Sequence, residues 1–314
     1  MRDVAGIVLS AGFGTRLKPF TDDLPKPLVP FLGKTPLWHQ IMLLKKFGID
    51  KIYVNLHYFP EMVEKYISEN FKGIRTVFEP VILGTGGGIK NIIRKFNINT
   101  PVIVLNGDTI SNINIKRVLE YHFNKEADAT MLLRRNRDIP DENSVFIDSH
   151  KKILSVKRRP VEAKSPYIKC TFMGIHILNP DLFGYLPDEG CINKLAYPEF
   201  IANNHRVYGF VTEKISCDIG TIRSLYEYNM RFLSIKLTSP VFTRSCIIKI
   251  RDHNNNIIDK NVLLKNSVIK NSIICDNCQI IDSIVEDSVL FRNTVITNSN
   301  LKRCLANNKY QYII

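Results

Sequence analysis

Leu9-Ser10-Ala11-Gly12-Phe13-Gly14-Thr15-Arg16-Leu17, with Pro25-Lys26-Pro27-Leu28 a few residues later, extends the apolar run Ala5 to Leu9. That run reads as a buried strand, so the glycine-bearing stretch is the loop that leaves it. Glycine at 12 and 14 lets the backbone turn sharply with its amides unshielded, and Arg16 and Lys26 add fixed positive charge beside them. Such a concavity suits a triphosphate. The spacing lacks the third glycine of a dinucleotide fingerprint, and no Gly-Lys-Ser/Thr follows as in a P-loop. From glycine spacing alone, an ordinary turn is an equal reading.

From residue 4 to about 135, strand-like apolar runs alternate with helical patterns, the signature of a doubly wound α/β sheet. Leu37, Ile41, Leu44 and Phe47 recur at helical spacing, Gly48 offers a stop, and Lys51 to Leu56 is the next extended run. A second helix is expected from Pro60 to Ser68, a short strand at Thr76 to Phe78, and a third helix from the Gly84 to Gly88 region. Val102 to Leu105 reads as a buried strand ending in Asn106-Gly107-Asp108, which puts a carboxylate at the strand's carboxyl end, where open α/β sheets form their ligand crevice. After Ala129 to Leu133 the runs shorten, at Val145 to Ile147, Ile153 to Lys157 and Thr171 to Leu178, and read as a more antiparallel substrate lobe.

Beyond Ser239 glycine disappears, asparagine rises, and aliphatic residues recur every six positions at Val262, Val268, Ile274 and Ile280; after a phase shift Val289, Val295 and Leu301 resume the pattern. This spacing predicts a short parallel β-helix, with asparagine suited to its turns; ordinary strands with chance spacing are the alternative. The division is therefore expected as residues 1–238 and 239–314.

With 314 residues, 45% of them hydrophobic, the chain is long enough to bury a substantial core. No apolar run approaches the roughly 20 residues of a membrane span, and Arg2 and Asp3 precede a core strand instead of a signal peptide, so a cytoplasmic location is the expectation. Seven scattered cysteines do not read as a disulfide framework. Cys275-Asp276-Asn277-Cys278 has the spacing of half a zinc site without a second half, and reads as a pair of turn cysteines. The formal charge of +13 is spread along the chain, and with no nucleic-acid module in view, nucleic acid ranks last among partners.

Joined to Thr15, Arg16 and the Pro-Lys-Pro-Leu segment, the opening loop resembles the signature of the sugar-1-phosphate nucleotidyltransferases, also called NDP-sugar pyrophosphorylases. The likeness runs from about residue 5 to 232 and looks closest to the mannose-1-phosphate guanylyltransferase and N-acetylmuramate-1-phosphate uridylyltransferase type. It implies a Rossmann-like doubly wound mixed sheet, the nucleotide-diphospho-sugar transferase fold, carrying a short left-handed parallel β-helix. It also implies a Mg²⁺-dependent reaction of a nucleoside triphosphate with a sugar 1-phosphate, for surface polysaccharide or glycoconjugate synthesis. GTP with a mannose- or heptose-type sugar ranks first and UTP next.

The resemblance assigns Arg16, Lys26 and Asp108 to catalysis, and Asp108 with Asp218, in Cys217-Asp218-Ile219-Gly220-Thr221, to the metal. Hard oxygen donors from two carboxylates leave magnesium free to take phosphate and water. Leu9, Ala11, Gly12, Gly14, Thr15, Glu79, Gly84, Thr85 and Gly86 fall to the nucleotide, with a glycine-rich helix entry offering amides to an anion. Ser144, Arg158, Arg159 and Gly174 fall to the sugar phosphate. Three positions depart from the family pattern: Arg158-Arg159-Pro160 replaces Glu-Lys-Pro, Ser144 replaces a glycine, and Ser216 replaces an aromatic residue. An arginine fork would place a phosphate differently from lysine. These departures motivate a rival reading, a catalytically silent regulatory homologue that binds nucleotide or NDP-sugar. His57, at another strand end, is read as structural, and a homodimer through the β-helix is expected.

Overall fold

The computed structural model describes residues 3–160, 166–214, 216–234 and 254–314. The chain forms two compact units, Met1–Gly12 with Gln40–Ser216, and Phe13–His39 with Cys217–Ile314. The division expected at 238/239 lies outside the described residues.

Along the chain run β1 (Ala5–Leu9), α1 (Pro36–Lys46), β2 (Ile52–Leu56), α2 (Pro60–Asn70), β3 (Ile74–Phe78), α3 (Gly84–Phe96), β4 (Val102–Asn106) and β5 (Thr109–Ser111). There follow α4 (Ile115–Asn124), β6 (Ala129–Arg135), β7 (Ser144–Ile147), β8 (Ile153–Val156), β9 (Ile168–Leu178), α5 (Ile192–Ala202), β10 (Val207–Val211), β11 (Ser216–Asp218) and α6 (Ile222–Ser234).

The first unit is organised by a nine-stranded mixed sheet with the path β10-β6-β9-β4-β1-β2-β3, to which β7 and β8 add an antiparallel branch. β1 pairs in parallel with β2 and β4, and β9 runs antiparallel between β4 and β6. Strands covered on both faces read as continuous apolar runs, and Ala5, Ile7, Val8 and Val102 to Leu105 are all buried. The helices present one apolar face each, Val63, Tyr66 and Ile67 on α2 and Ile89, Ile92 and Ile93 on α3. Asn97, left-handed at φ 49°, closes α3, and the Asn114 side chain accepts from the Arg117 amide to open α4. α5 escapes a sequence reading because Pro198 lies inside it and exposed Leu195 blurs the buried stripe of Ile192, Ala196, Tyr197 and Phe200.

In the second unit, residues 257–313 wind as a parallel β-helix with one antiparallel strand, Gln311–Ile313, folded back at its end. The register is Ile257 to Ile273 to Val289 to Leu305, so each coil takes 16 residues. The inward series runs Ile269, Ile274, Ile280, Val285, Leu290, Ile296, Leu301, Ala306, in steps of five, six and five. The six-residue reading had one side of each triangular coil right; Val268 and Val295, which it placed inward, are 54% and 47% exposed.

The true signal is an Asn/Asp-Ser pair at the corners. Asn266, Asn271, Asp282, Asp287 and Asn298 all have positive φ, a conformation their short polar side chains tolerate better than other L-residues. Asn255 donates to Asn271 and Asn271 to Asp287, each at 2.6 Å, while the Ser272 and Ser288 hydroxyls accept the amides of Ser288 and Cys304 one coil on. Cys275 and Cys278 lie at the remaining corner. Burial pushes the Cys278 thiol up to about 11 and that of Cys275 well above its usual value, and Cys278 Sγ donates to the Phe291 carbonyl at 3.0 Å.

Asn271→Ala, which keeps the left-handed strain and loses both rungs, is expected to lower the unfolding free energy by about 1–3 kcal/mol, measured by urea denaturation of the full chain. Asn271→Gly should lose less, since glycine removes the strain.

Candidate active site

The register of β1 sets Leu9 level with Asn55 on β2 and with Asn106 on β4. The Gly107 amide donates to the Leu9 carbonyl at 2.9 Å, so the turn bearing half-buried Asp108 is tied to the point where the signature loop leaves the sheet. Gln40, 1% exposed, donates through its amide nitrogen to the carbonyls of Asn106 and Thr109, the second contact being short, and holds the other side of that turn. Gly174 on β9 stands against the same turn, where a β-carbon would meet the Thr109 side chain and lie 3.3 Å from Asn106 Cβ. Leu9, Asp108 and Gly174 are thus brought together.

Beneath the loop runs a buried polar chain. Asn55 accepts from the Ser10 amide at 2.7 Å and donates to Glu79 Oε1 at 2.8 Å; Glu79 Oε2 accepts from the Leu83 amide at 3.2 Å, at the mouth of α3. Glu79 is 0% exposed, so its carboxylate holds the loop to the helix from inside and does not face outward. His57, read as structural, donates through Nδ1 to the Glu79 carbonyl at 2.7 Å. Sequence reasoning missed Asn55; its signal was a carboxamide inside the otherwise apolar run Ile52–Leu56, since buried polar groups demand partners.

The glycine-rich entry to α3 is shaped by the segment Pro187 to Gly190. The Gly86 amide donates to the Gly190 carbonyl at 2.8 Å, and a β-carbon on Gly86 would come within 2.6 Å of Pro187 Cγ. Thr85 Oγ1 accepts the Ile192 amide at 3.0 Å and so caps α5. Gly84 and Thr85 are half-buried, Gly86 is buried, Ala11 is buried, and Gly12 is exposed.

In the second unit, Gly14 has φ 69° and opens a short 3₁₀ turn, Thr15–Leu17. A β-carbon there would lie 2.8 Å from Lys26 Cβ, so the close approach and the left-handed backbone both require glycine. Lys26 therefore packs against the loop that carries Arg16. Arg16 Nη2 stands 3.9 Å from Asp218 Oδ2, and both side chains are 61% exposed. An ion pair that long and that exposed is worth only about 0–1 kcal/mol, so a ligand anion or cation can part the two at little cost. Thr15 is exposed beside them.

Of the residues assigned to the sugar phosphate, Gly174 stands with Asp108, and Ser144, Arg158 and Arg159 fall together on the antiparallel branch of the first unit. Ser144 is 0% exposed and donates to the Pro140 carbonyl at 2.8 Å, closing its own turn. Its carbonyl accepts the Lys157 amide at 2.7 Å, which brings the Arg158-Arg159 pair alongside. Both arginines are exposed; Arg159 pairs closely with Asp141, which also takes Lys169 at 2.7 Å. Lys169 first, then Arg159, holds the Asp141 carboxyl below the usual carboxylate range.

The nucleotidyl transferase family model matches residues 5–234, and the chain belongs to that family. It is similar to the D-glycero-alpha-D-manno-heptose 1-phosphate guanylyltransferase of Aneurinibacillus thermoaerophilus, 28% identical over 220 residues that make up 68% of this chain and 92% of that protein. With the mannose-1-phosphate guanyltransferase of Yarrowia lipolytica it is 32% identical over 73% of this chain and 64% of that protein's length. Among solved structures, HddC from Yersinia pseudotuberculosis complexed with GMP-PN superposes with a TM-score of 0.61 at 26% identity, covering 74% of this chain and all of that one. Among the described residues, no helix is long and apolar enough to cross a membrane.

Glu79→Ala leaves the Asn55 carboxamide without its acceptor in a buried site, and is expected to destabilise the chain by about 1–3 kcal/mol in thermal or chemical unfolding, with Glu79→Gln losing less.

Proposed function

We propose that this chain transfers a nucleotidyl group from a nucleoside triphosphate to a sugar 1-phosphate. An oxygen of the sugar phosphate attacks the α-phosphorus in line, the bond from that phosphorus to the bridging oxygen breaks, and pyrophosphate leaves with the electron pair, giving an NDP-sugar. The observation that carries this reading is the Gly14–Leu17 turn, which sets Arg16 beside Asp218 and packs Gly14 on Lys26, two cations and a carboxylate around one tight loop.

Chemistry of this kind needs positioning and charge stabilisation, with no nucleophilic side chain. Arg16 binds the triphosphate and the departing pyrophosphate, and Lys26 binds phosphate oxygens shared by the two substrates. The loop backbone from Leu9 to Thr15 and the entry to α3 at Gly84, Thr85 and Gly86 contact the nucleotide, with Glu79 supporting them from beneath. Gly174, Arg158 and Arg159 take the sugar phosphate, with the Ser144 carbonyl, which accepts the Lys157 amide, holding the segment that leads into the two arginines.

Magnesium is the cofactor of this reading. Asp218 is 61% exposed at its side chain and Asp108 is half-buried, both hard oxygen donors of the type Mg²⁺ takes one or two of beside phosphate and water, so the residues fit the ion. Bound there, it would neutralise charge on the phosphate oxygens. GTP with a mannose- or heptose-type sugar 1-phosphate is the first pairing proposed, supported by the guanylyltransferase relatives, with UTP second. The product would serve surface polysaccharide or glycoconjugate synthesis in the cytoplasm. A homodimer through the β-helix accompanies the reading, supported by exposed Val268 and Ile284 on adjacent coils; light scattering giving the mass of one chain would remove it.

Pyrophosphate release should appear with Mg²⁺ for one pairing of GTP, UTP, dTTP, CTP or ATP with a panel of sugar 1-phosphates, and vanish with EDTA. Asp108→Asn should lower kcat by at least about 10²-fold with the circular dichroism unchanged. Silence across the panel despite nucleotide binding would replace this reading with the regulatory one.

A further inference from the structure

The loop that carries Arg16 and Lys26 belongs to the same compact unit as the β-helix, although the family match ends at residue 234. Phe20, three residues beyond Leu17, is 0% exposed, and its ring lies 4.9 Å from that of Phe291 and 6.3 Å, edge-on, from that of Tyr310. Lys309 Nζ reaches Asp23 Oδ2 at 2.5 Å. Both Lys309 and Tyr310 sit in the turn that folds the last strand back. There the Asn307 side chain accepts both of their amides, at 2.9 and 2.7 Å, and the Asn307 amide donates to the Tyr310 carbonyl.

Each side of this contact is tied down by hydrogen bonds. Phe291 is fixed by its amide on the Ala306 carbonyl at 2.9 Å and by its own carbonyl, which accepts Thr294 Oγ1 at 2.6 Å. Phe20 is linked to the loop by consecutive turns, Phe20 amide to Leu17 carbonyl at 3.1 Å and Leu17 amide to Gly14 carbonyl at 2.9 Å, while Thr21 Oγ1 donates to that same Gly14 carbonyl. A displacement of Phe20 therefore moves the turn that aims Arg16 and the glycine on which Lys26 packs.

We propose that the C-terminal hairpin of the β-helix, through Tyr310 and Lys309 and backed by Phe291, is a positioning element that holds the Arg16 and Lys26 loop in its phosphate-binding shape. None of the three touches substrate; they act through Phe20 and Asp23. The proposal rests on the nucleotidyl-transfer reading for what the loop binds, and on the contacts alone for what holds it.

Hydrogen exchange of residues 13–28 in the ligand-free full chain tests the holding, and steady-state kinetics test its use. In Tyr310→Ala, and in Tyr310→Ala with Lys309→Ala, exchange there should quicken by roughly threefold to tenfold, the equilibrium equivalent of one aromatic contact. KM for the nucleoside triphosphate should rise by a similar factor with KM for the sugar 1-phosphate unchanged, and Tyr310→Phe should restore both. Unchanged exchange at residues 13–28 overturns the proposal; so does quickened exchange with unaltered KM, which leaves the hairpin as packing only. If the unaltered protein turns over no triphosphate, the functional reading fails by itself, and exchange still decides whether the hairpin holds the loop.

Discussion

β1 is hydrogen-bonded in parallel on both sides, and the level alignment of Leu9 with Asn55 and Asn106 is the constraint from which the rest of the first unit follows. A one-residue slip would exchange the two buried faces of β1 and move every side chain into space shaped for its neighbour, so hydrophobic burial fixes the register. With it fixed, three chain segments leave the sheet side by side: the signature loop after Leu9, the His57 segment after Leu56, and the Asn106–Thr109 turn with Asp108, while Glu79 leaves the end of β3 with its amide on the Leu56 carbonyl. Short hydrogen bonds from Ser10 to Asn55 and from Gly107 to Leu9 then set the departure angles.

Several residues that a ligand-centred reading assigns to substrate also answer to the fold. Glu79 completes a buried chain from Ser10 to α3; Gly86 admits Pro187 and Gly190; Ser144 closes its own turn. Arg16, Gly12, Thr15, Arg158 and Asp218 differ in kind, being exposed. Exposed charge in an ion pair as long as that of Arg16 with Asp218 is what a phosphate ligand can recruit at low cost. The division is thus spatial, with buried groups fixing the backbone and these exposed ones left at the surface.

The β-helix obeys a different rule. Its coils cannot bury an apolar face alone, and each depends on the stacked neighbour for both its inward aliphatics and its corner hydrogen bonds. Sixteen residues per coil, with sides of five, six and five, arise because two corners turn through one left-handed Asn or Asp followed by Ser, which needs fewer residues than the third corner at Asn277 and Asn293. The absence of glycine and the excess of asparagine were visible in the chain, but a six-residue ruler matched only one side of the triangle.

What the sequence determined by itself was local and periodic: the apolar runs of β1, β2 and β4, the helical stripe of α1, the glycine and cation spacing of the signature loop, and the existence of a coiled tail. These are set by side-chain chemistry over a few residues, so they can be read without partners. Tertiary structure decided the rest, because it depends on residues far apart in the chain. The 45-residue reach from Ser10 to Asn55, the placing of Arg16 beside Asp218, the helix at α5 despite Pro198, and the meeting of Phe20 with Phe291 and Tyr310 all arise only when separate segments are buried against one another. No local pattern encodes a contact whose free energy exists only after the second surface has arrived.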